Sequence, residues 1–98
     1  MSYYAICTFD LKGADRQDYV NAYTDLANLG LHHTIVSSQQ QKVVLPTTMV
    51  GGEFDYSSAS QLQVDLTTKI KAAFQGRGLS AEIFVVAAGD WAWGYSTI

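Results

Sequence analysis

The segment from Tyr3 to Asp10 constrains the fold more than any other part of the chain. It is built from β-forming residues, and both of its alternating sets of side chains are largely apolar: Tyr3, Ala5, Cys7 and Phe9 on one side, and Tyr4, Ile6 and Thr8 on the other. A strand that is apolar on both faces is typical of the middle of a covered sheet. Residues 81–88 have the same character, so we expect two such strands, one near each end of the chain.

Two segments between these strands have the periodicity of helices. From Asp15 to Leu29 apolar residues recur at helical spacing, with acidic residues near the start and Gly30 directly after the end. Around Ser57 and Ser58, residues suited to an N-cap precede a second apolar stripe, which glycines at 76 and 78 close. That stripe is formed by Ala59, Leu62, Leu66, Ile70, Ala73 and Phe74.

The remaining segments complete an alternating order of strands and helices. Residues 31–38 and 42–45 predict two strands joined by a polar turn at 39–41, and residues 47–56 predict an irregular loop. The order β-α-β-β-α-β indicates an α+β, ferredoxin-like sandwich, in which an antiparallel sheet carries both helices on one face. We expect residues 1–98 to form a single domain that ends in an aromatic tail at 90–98.

The second face of such a sheet needs a cover. Because the first and last strands in the sequence are apolar on both sides, an open face of the sheet would expose a large apolar area. A second copy of the chain is the simplest cover, since two-fold dimers are the commonest oligomers. The alternative is that the tail, with Trp91 and Trp93, folds back over the sheet by itself.

Charge and cysteine content limit the functional classes. The formal net charge is −3 and no run of basic residues occurs, which argues against a non-specific nucleic-acid surface unless a dimer gathers Lys12, Arg16 and Lys42 from two chains. The single Cys7 lies within a strand and is interpreted as a core residue in a reducing compartment. The N-terminus lacks a signal-peptide pattern and no apolar run could span a membrane, so we expect a cytoplasmic protein with no membrane partner.

Asp10 is the strongest candidate for chemistry. It lies at the C-terminal end of the first strand, where a carboxylate is held on a rigid element at the rim of the sheet and suits a hard cation such as Mg²⁺. In a two-fold dimer, two copies of Asp10 could share one metal ion. The alternative is a structural acid that forms a salt bridge or accepts amides of the turn at Lys12 and Gly13.

Other polar residues give weaker signals. His32 and His33 are adjacent, so on a regular strand they point to opposite faces and cannot reach one site. Ser37 and Ser38 have no base beside them in the sequence. The glycines at 51 and 52 do not form a phosphate-binding fingerprint.

Several short motifs resemble the CRISPR-associated small ferredoxin-fold endonucleases, and more closely their SinR-like relatives. The matching residues are spread over most of the chain: Tyr4-Ala5-Ile6, Phe9-Asp10-Leu11, Asp18-Tyr19, Tyr23, Leu26, Leu29-Gly30, His33, Ser37-Ser38, Phe84-Val85-Val86 and Trp91-Ala92-Trp93-Gly94. The acidic composition and the segment 47–56 depart from the pattern of that group.

The resemblance implies a homodimer with Asp10 at its interface. In the nuclease members of the group this acid is implicated in metal-dependent cleavage of phosphodiesters, so Asp10 is both the catalytic and the metal-binding candidate. Arg16 and Ser37 lie where accessory phosphate contacts are expected. Two hypotheses follow: an endonuclease that uses Mg²⁺ or Mn²⁺ on RNA or DNA, or a non-catalytic homodimeric adaptor that binds another protein.

Overall fold

The computed structural model describes all residues from Met1 to Ile98. The protein is an α+β domain with the order βαβββαβ. Its elements are β1 (Ser2–Lys12), α1 (Arg16–Asn28), β2 (Thr34–Val36), β3 (Lys42–Val44), β4 (Met49–Asp55), α2 (Ala59–Gly76) and β5 (Ser80–Ala88). Neither helix is long and apolar enough to cross a lipid bilayer.

The sheet is centred on the first strand. β1 pairs antiparallel with β4 on one side and with β5 on the other. β2 and β3 form a separate antiparallel hairpin. Just before this hairpin, the backbone N–H of His32 donates to the Gly51 carbonyl at 2.9 Å, and the N–H of Gly51 donates to the His32 carbonyl at 2.8 Å. This bridge joins the start of the hairpin segment to the outer edge of β4.

The irregular loop predicted for residues 47–56 is wrong, because most of this segment is strand β4. The predicted order therefore lacked one strand. The glycines at 51 and 52 permit close packing around this strand. A Cβ atom on Gly52 would lie 2.1 Å from the carbonyl oxygen of Gly30, and one on Gly51 would lie 2.8 Å from Tyr4 Oη. Glycine in a strand often marks such an approach.

Both predicted helices are confirmed, and side chains set where they begin. Asp15 caps α1 by accepting the Asp18 N–H at 2.9 Å, while the Asp18 carboxylate accepts the Asp15 N–H at 3.1 Å, which makes a capping box. Ser58 caps α2 by accepting the N–H of Gln61 at 3.0 Å. The apolar stripe of each helix then faces the sheet.

One side of β1 forms the core together with both helices. The odd-numbered residues of β1 from Tyr3 to Leu11 are buried against Leu26 of α1 and the apolar stripe of α2. Cys7 is fully buried here, as predicted, and burial raises the pKa of its thiol to about 11. The thiol therefore stays protonated at neutral pH and serves as an apolar packing group.

The opposite side of the sheet is only partly covered. The molecule is 19 Å thick along its shortest axis, which leaves room for one helix layer and one sheet layer. The tail lies across one end of this face, where the rings of Trp91 and Tyr4 are 5.6 Å apart. At the other end, Phe84 of β5 is 67% exposed. β5 lies at the edge of the sheet, and the face that carries Phe84 is the one for which the sequence predicts a cover.

Candidate functional site

Asp10 lies on the open side of the sheet in a small cluster of charges. It is directly opposite Glu82 in the pairing of β1 with β5. The ammonium of Lys12, two residues further along β1, donates to Asp10 Oδ2 at 2.9 Å and to Glu82 Oε1 at 2.7 Å. Residues two apart on a strand share a face, which is why Lys12 reaches both carboxylates.

This arrangement has an electrostatic consequence for Lys12. The hydrogen bond to Glu82, followed by the one to Asp10, raises the pKa of the Lys12 ammonium above its ordinary value. Lys12 therefore stays positively charged at physiological pH. All three side chains are largely exposed, so water and salt screen the interaction.

The chain alone provides few ligands for a metal at Asp10. No group of three or more His, Cys, Asp or Glu side chains is placed to hold an ion. Mg²⁺ requires six oxygen ligands and accepts several as water or substrate phosphate. A cation at Asp10 would therefore compete with Lys12 and take most of its ligands from outside this chain.

The two accessory candidates lie apart from each other. Arg16 is exposed at the first position of α1, just beyond the turn that follows β1. Ser37 lies in the hairpin turn, where its hydroxyl oxygen accepts the backbone N–H groups of Gln39 at 3.3 Å and Gln41 at 3.1 Å. It borders a hollow with Trp91 and Trp93, at the end of the sheet away from Asp10. Along β1, Tyr4 and Asp10 are separated by about 20 Å.

The histidines do not form a site. The backbone of His32 pairs with Gly51, and its side chain is exposed. The ring centroid of His33 lies 5.4 Å from that of Tyr23.

An aromatic cavity of about 460 Å³ occupies the covered end of the sheet face. Its floor is formed by β1 and β5, one wall by the β2–β3 hairpin and the other by the tail. Four aromatic side chains line it: Tyr4, Trp91, Trp93 and Tyr95. The sequence did not predict this cavity, although the alternation of Trp91, Trp93 and Tyr95 was its visible signal.

Tyr4 carries the one buried side-chain polar atom without a hydrogen-bond partner. Its hydroxyl is enclosed close to the backbone of Gly51. Burial, and then the nearby negative charge of Glu53, raises the pKa of this phenol. Glu53 is the partner of Tyr4 across the β1–β4 pair and accepts a hydrogen bond from Ser2 Oγ. Tyr4 therefore stays neutral, with an acid beside it.

The uncovered end of the same face forms an open patch made by Thr8, Asp10, Glu82 and Phe84. These residues surround a shallow hollow of about 400 Å³. Next to the patch on β5, Val86 is also exposed, to 48%. The patch thus combines an apolar centre with the charged cluster at Lys12.

No protein-family model matches the sequence, and no curated protein matches it at a significant level.

Proposed function

We propose that this chain is a homodimeric interaction module of ferredoxin-like fold, in which a second copy covers the open patch. The fold part of the proposal is supported by the strand order. When the His32–Gly51 bridge is included, the strands run β5-β1-β4-β2. This is the order of a ferredoxin-like split βαβ sheet, with β3 as an added strand that turns β2 into a hairpin.

The exposure of Phe84 is the observation that supports dimerisation most directly. A phenylalanine that is 67% exposed in the middle of a sheet strand leaves a large apolar area in water. Lys12, Asp10 and Glu82 lie on the same face with both signs of charge. A patch of mixed charge can complement itself under a two-fold axis, as a dimer of identical chains requires. The helix layers then face outward, free to bind a protein partner.

Replacing Phe84 with aspartate is expected to convert the dimer into a monomer. The new carboxylate would be desolvated in the interface beside two acids, which opposes association. Light scattering should give about twice the chain mass of 10.7 kDa for the wild type and the single mass for F84D.

The matched control is Val64→Asp, since Val64 is 51% exposed on α2, away from the sheet. V64D should remain dimeric. A wild-type protein that is monomeric at high concentration, or equal dissociation of both variants, would contradict the proposed interface.

A second candidate function, a metal-dependent endonuclease, is favoured by one feature of the patch. Asp10 and Glu82 are cross-strand neighbours whose oxygens converge on one cation, at present the ammonium of Lys12. Mg²⁺ or Mn²⁺ displacing that ammonium would gain two carboxylates from each chain of a dimer. The likeness to the CRISPR-associated and SinR-like group gives this candidate its substrate class, nucleic-acid phosphodiesters. Arg16 and Ser37 would then be accessory phosphate contacts.

The endonuclease candidate is tested with labelled single- and double-stranded RNA and DNA in Mg²⁺, Mn²⁺ or EDTA. If it holds, cleavage requires the metal and falls at least about 100-fold in Asp10→Asn and Glu82→Gln, because each variant removes a charged ligand. Asp90→Asn is the control, since Asp90 is an exposed acid outside the cluster. Absence of cutting by a folded dimer would leave the interaction module as the function.

A further inference from the structure

The aromatic cavity has the size and lining of a small-molecule site. Its volume of about 460 Å³ lies in the range of natural ligand pockets. Eleven of its 14 lining residues are hydrophobic, so a ligand would bury most of its surface against apolar groups. The lining residues come from three separate parts of the chain, residues 4–6, 35–49 and 86–96, so the cavity is a product of the whole fold.

The charged side chains beside the cavity in the sheet and in the tail are acidic. No lysine or arginine lines it. Glu53 neighbours Tyr4 on the same face of the sheet, and Asp90 directly precedes Trp91. Four aromatic rings line the cavity, and the face of such a ring attracts a cation through its quadrupole, most strongly when the ring is tryptophan. The cavity is therefore apolar in contact, with acidic side chains beside it and no cationic side chain in its lining.

We infer that the aromatic cavity binds a small organic cation, one with an apolar body and an ammonium group that carries alkyl substituents. Such a cation is weakly hydrated, so it enters an apolar cavity more readily than a metal ion does. Trp91 and Trp93 contact the ammonium, and Glu53 supplies the compensating charge. An anion is disfavoured by the same groups.

This inference goes beyond the proposed function and uses a different part of the face. The cavity is enclosed by the tail and the hairpin, whereas the open patch lies at the Asp10 end. Failure of one proposal therefore leaves the other intact, and F84D lets ligand binding be measured in the monomer.

The test compares phenyltrimethylammonium with tert-butylbenzene, which has the same shape and no charge. Both tryptophans of the protein line the cavity, so their fluorescence, excited at the red edge, reports occupancy. We expect the cation to bind about tenfold more tightly than the neutral isostere. Glu53→Gln should weaken binding of the cation about threefold and leave tert-butylbenzene unchanged, since only the charge is removed.

A second variant separates the aromatic contribution from simple burial. Trp93→Leu keeps an apolar wall and leaves Trp91 as the fluorescent reporter. Because it removes one aromatic ring, it should reduce the affinity for the cation several-fold more than the affinity for the neutral isostere. Equal affinity for the two probes, or tighter binding of tert-butylbenzene, would reduce the cavity to a non-selective apolar site and overturn the inference. No fluorescence response to either probe in the folded protein would overturn it as well.

Discussion

Replacing Gly52 with alanine is expected to destabilise the protein by about 2–4 kcal/mol, a large loss for a domain of this size. The added methyl group would lie 2.1 Å from the carbonyl oxygen of Gly30 and 3.2 Å from the ring of Phe54. The Gly30 carbonyl belongs to a turn with a φ of 90°, so it cannot swing aside as a flexible side chain would. Strand β4 must move instead, and it is bonded to β1 along its length.

Thermal unfolding of G52A checks this expectation. A loss of this size should lower the Tm by about 10–25 °C in a domain of about 100 residues. Gly76→Ala is the control, because a Cβ atom at Gly76, in the last turn of α2, meets nothing within 4 Å. G76A should be neutral or slightly stabilising, since alanine favours helix. Similar unfolding temperatures for G52A and the wild type would show that β4 does not pass so close to Gly30.

Replacing Leu26 with alanine is expected to cost about 2–5 kcal/mol. Leu26 is a residue of α1 and is fully buried in the core that α1 forms with α2 and the sheet. Truncation removes its apolar contacts and leaves a cavity that the neighbouring side chains fill only in part. In a protein of marginal stability, such a change can leave a substantial unfolded fraction at 37 °C.

Urea unfolding of L26A and Val20→Ala provides a comparison within one helix. Val20 is 49% exposed on the outer side of α1, so V20A should cost less than about 1 kcal/mol. The midpoint should fall strongly only for L26A, with an unchanged slope if the fold is kept. Equal midpoints for the two variants would contradict the assignment of the buried face of α1.

The candidate sites differed in how far the sequence could predict them. Asp10 was recognisable because its position follows from one local pattern, a polar residue near the end of an apolar strand. The ion pair between Asp10 and Lys12 agrees with the salt-bridge alternative, but the participation of Glu82 was not predictable, since Glu82 lies on β5, at the far end of the chain. The aromatic cavity is a stronger example. Tyr4, the hairpin and the tail are far apart in the sequence, and only the packed sheet brings them together.

The sequence by itself determined both helices, because each has a hydrophobic period of helical spacing and a capping residue at its start. It also determined strands β1 and β5, which are continuous runs of β-forming residues, and the β2–β3 hairpin, whose polar turn separates two short apolar runs. Tertiary structure decided the rest. Strand β4 contains Gly51 and Gly52, which have low strand propensity alone and are required only because Tyr4 and Gly30 pass so closely. Contacts between distant segments likewise decide which face of the sheet is open and where the hairpin and the tail enclose a cavity on it. Such contacts leave no periodic pattern in the sequence.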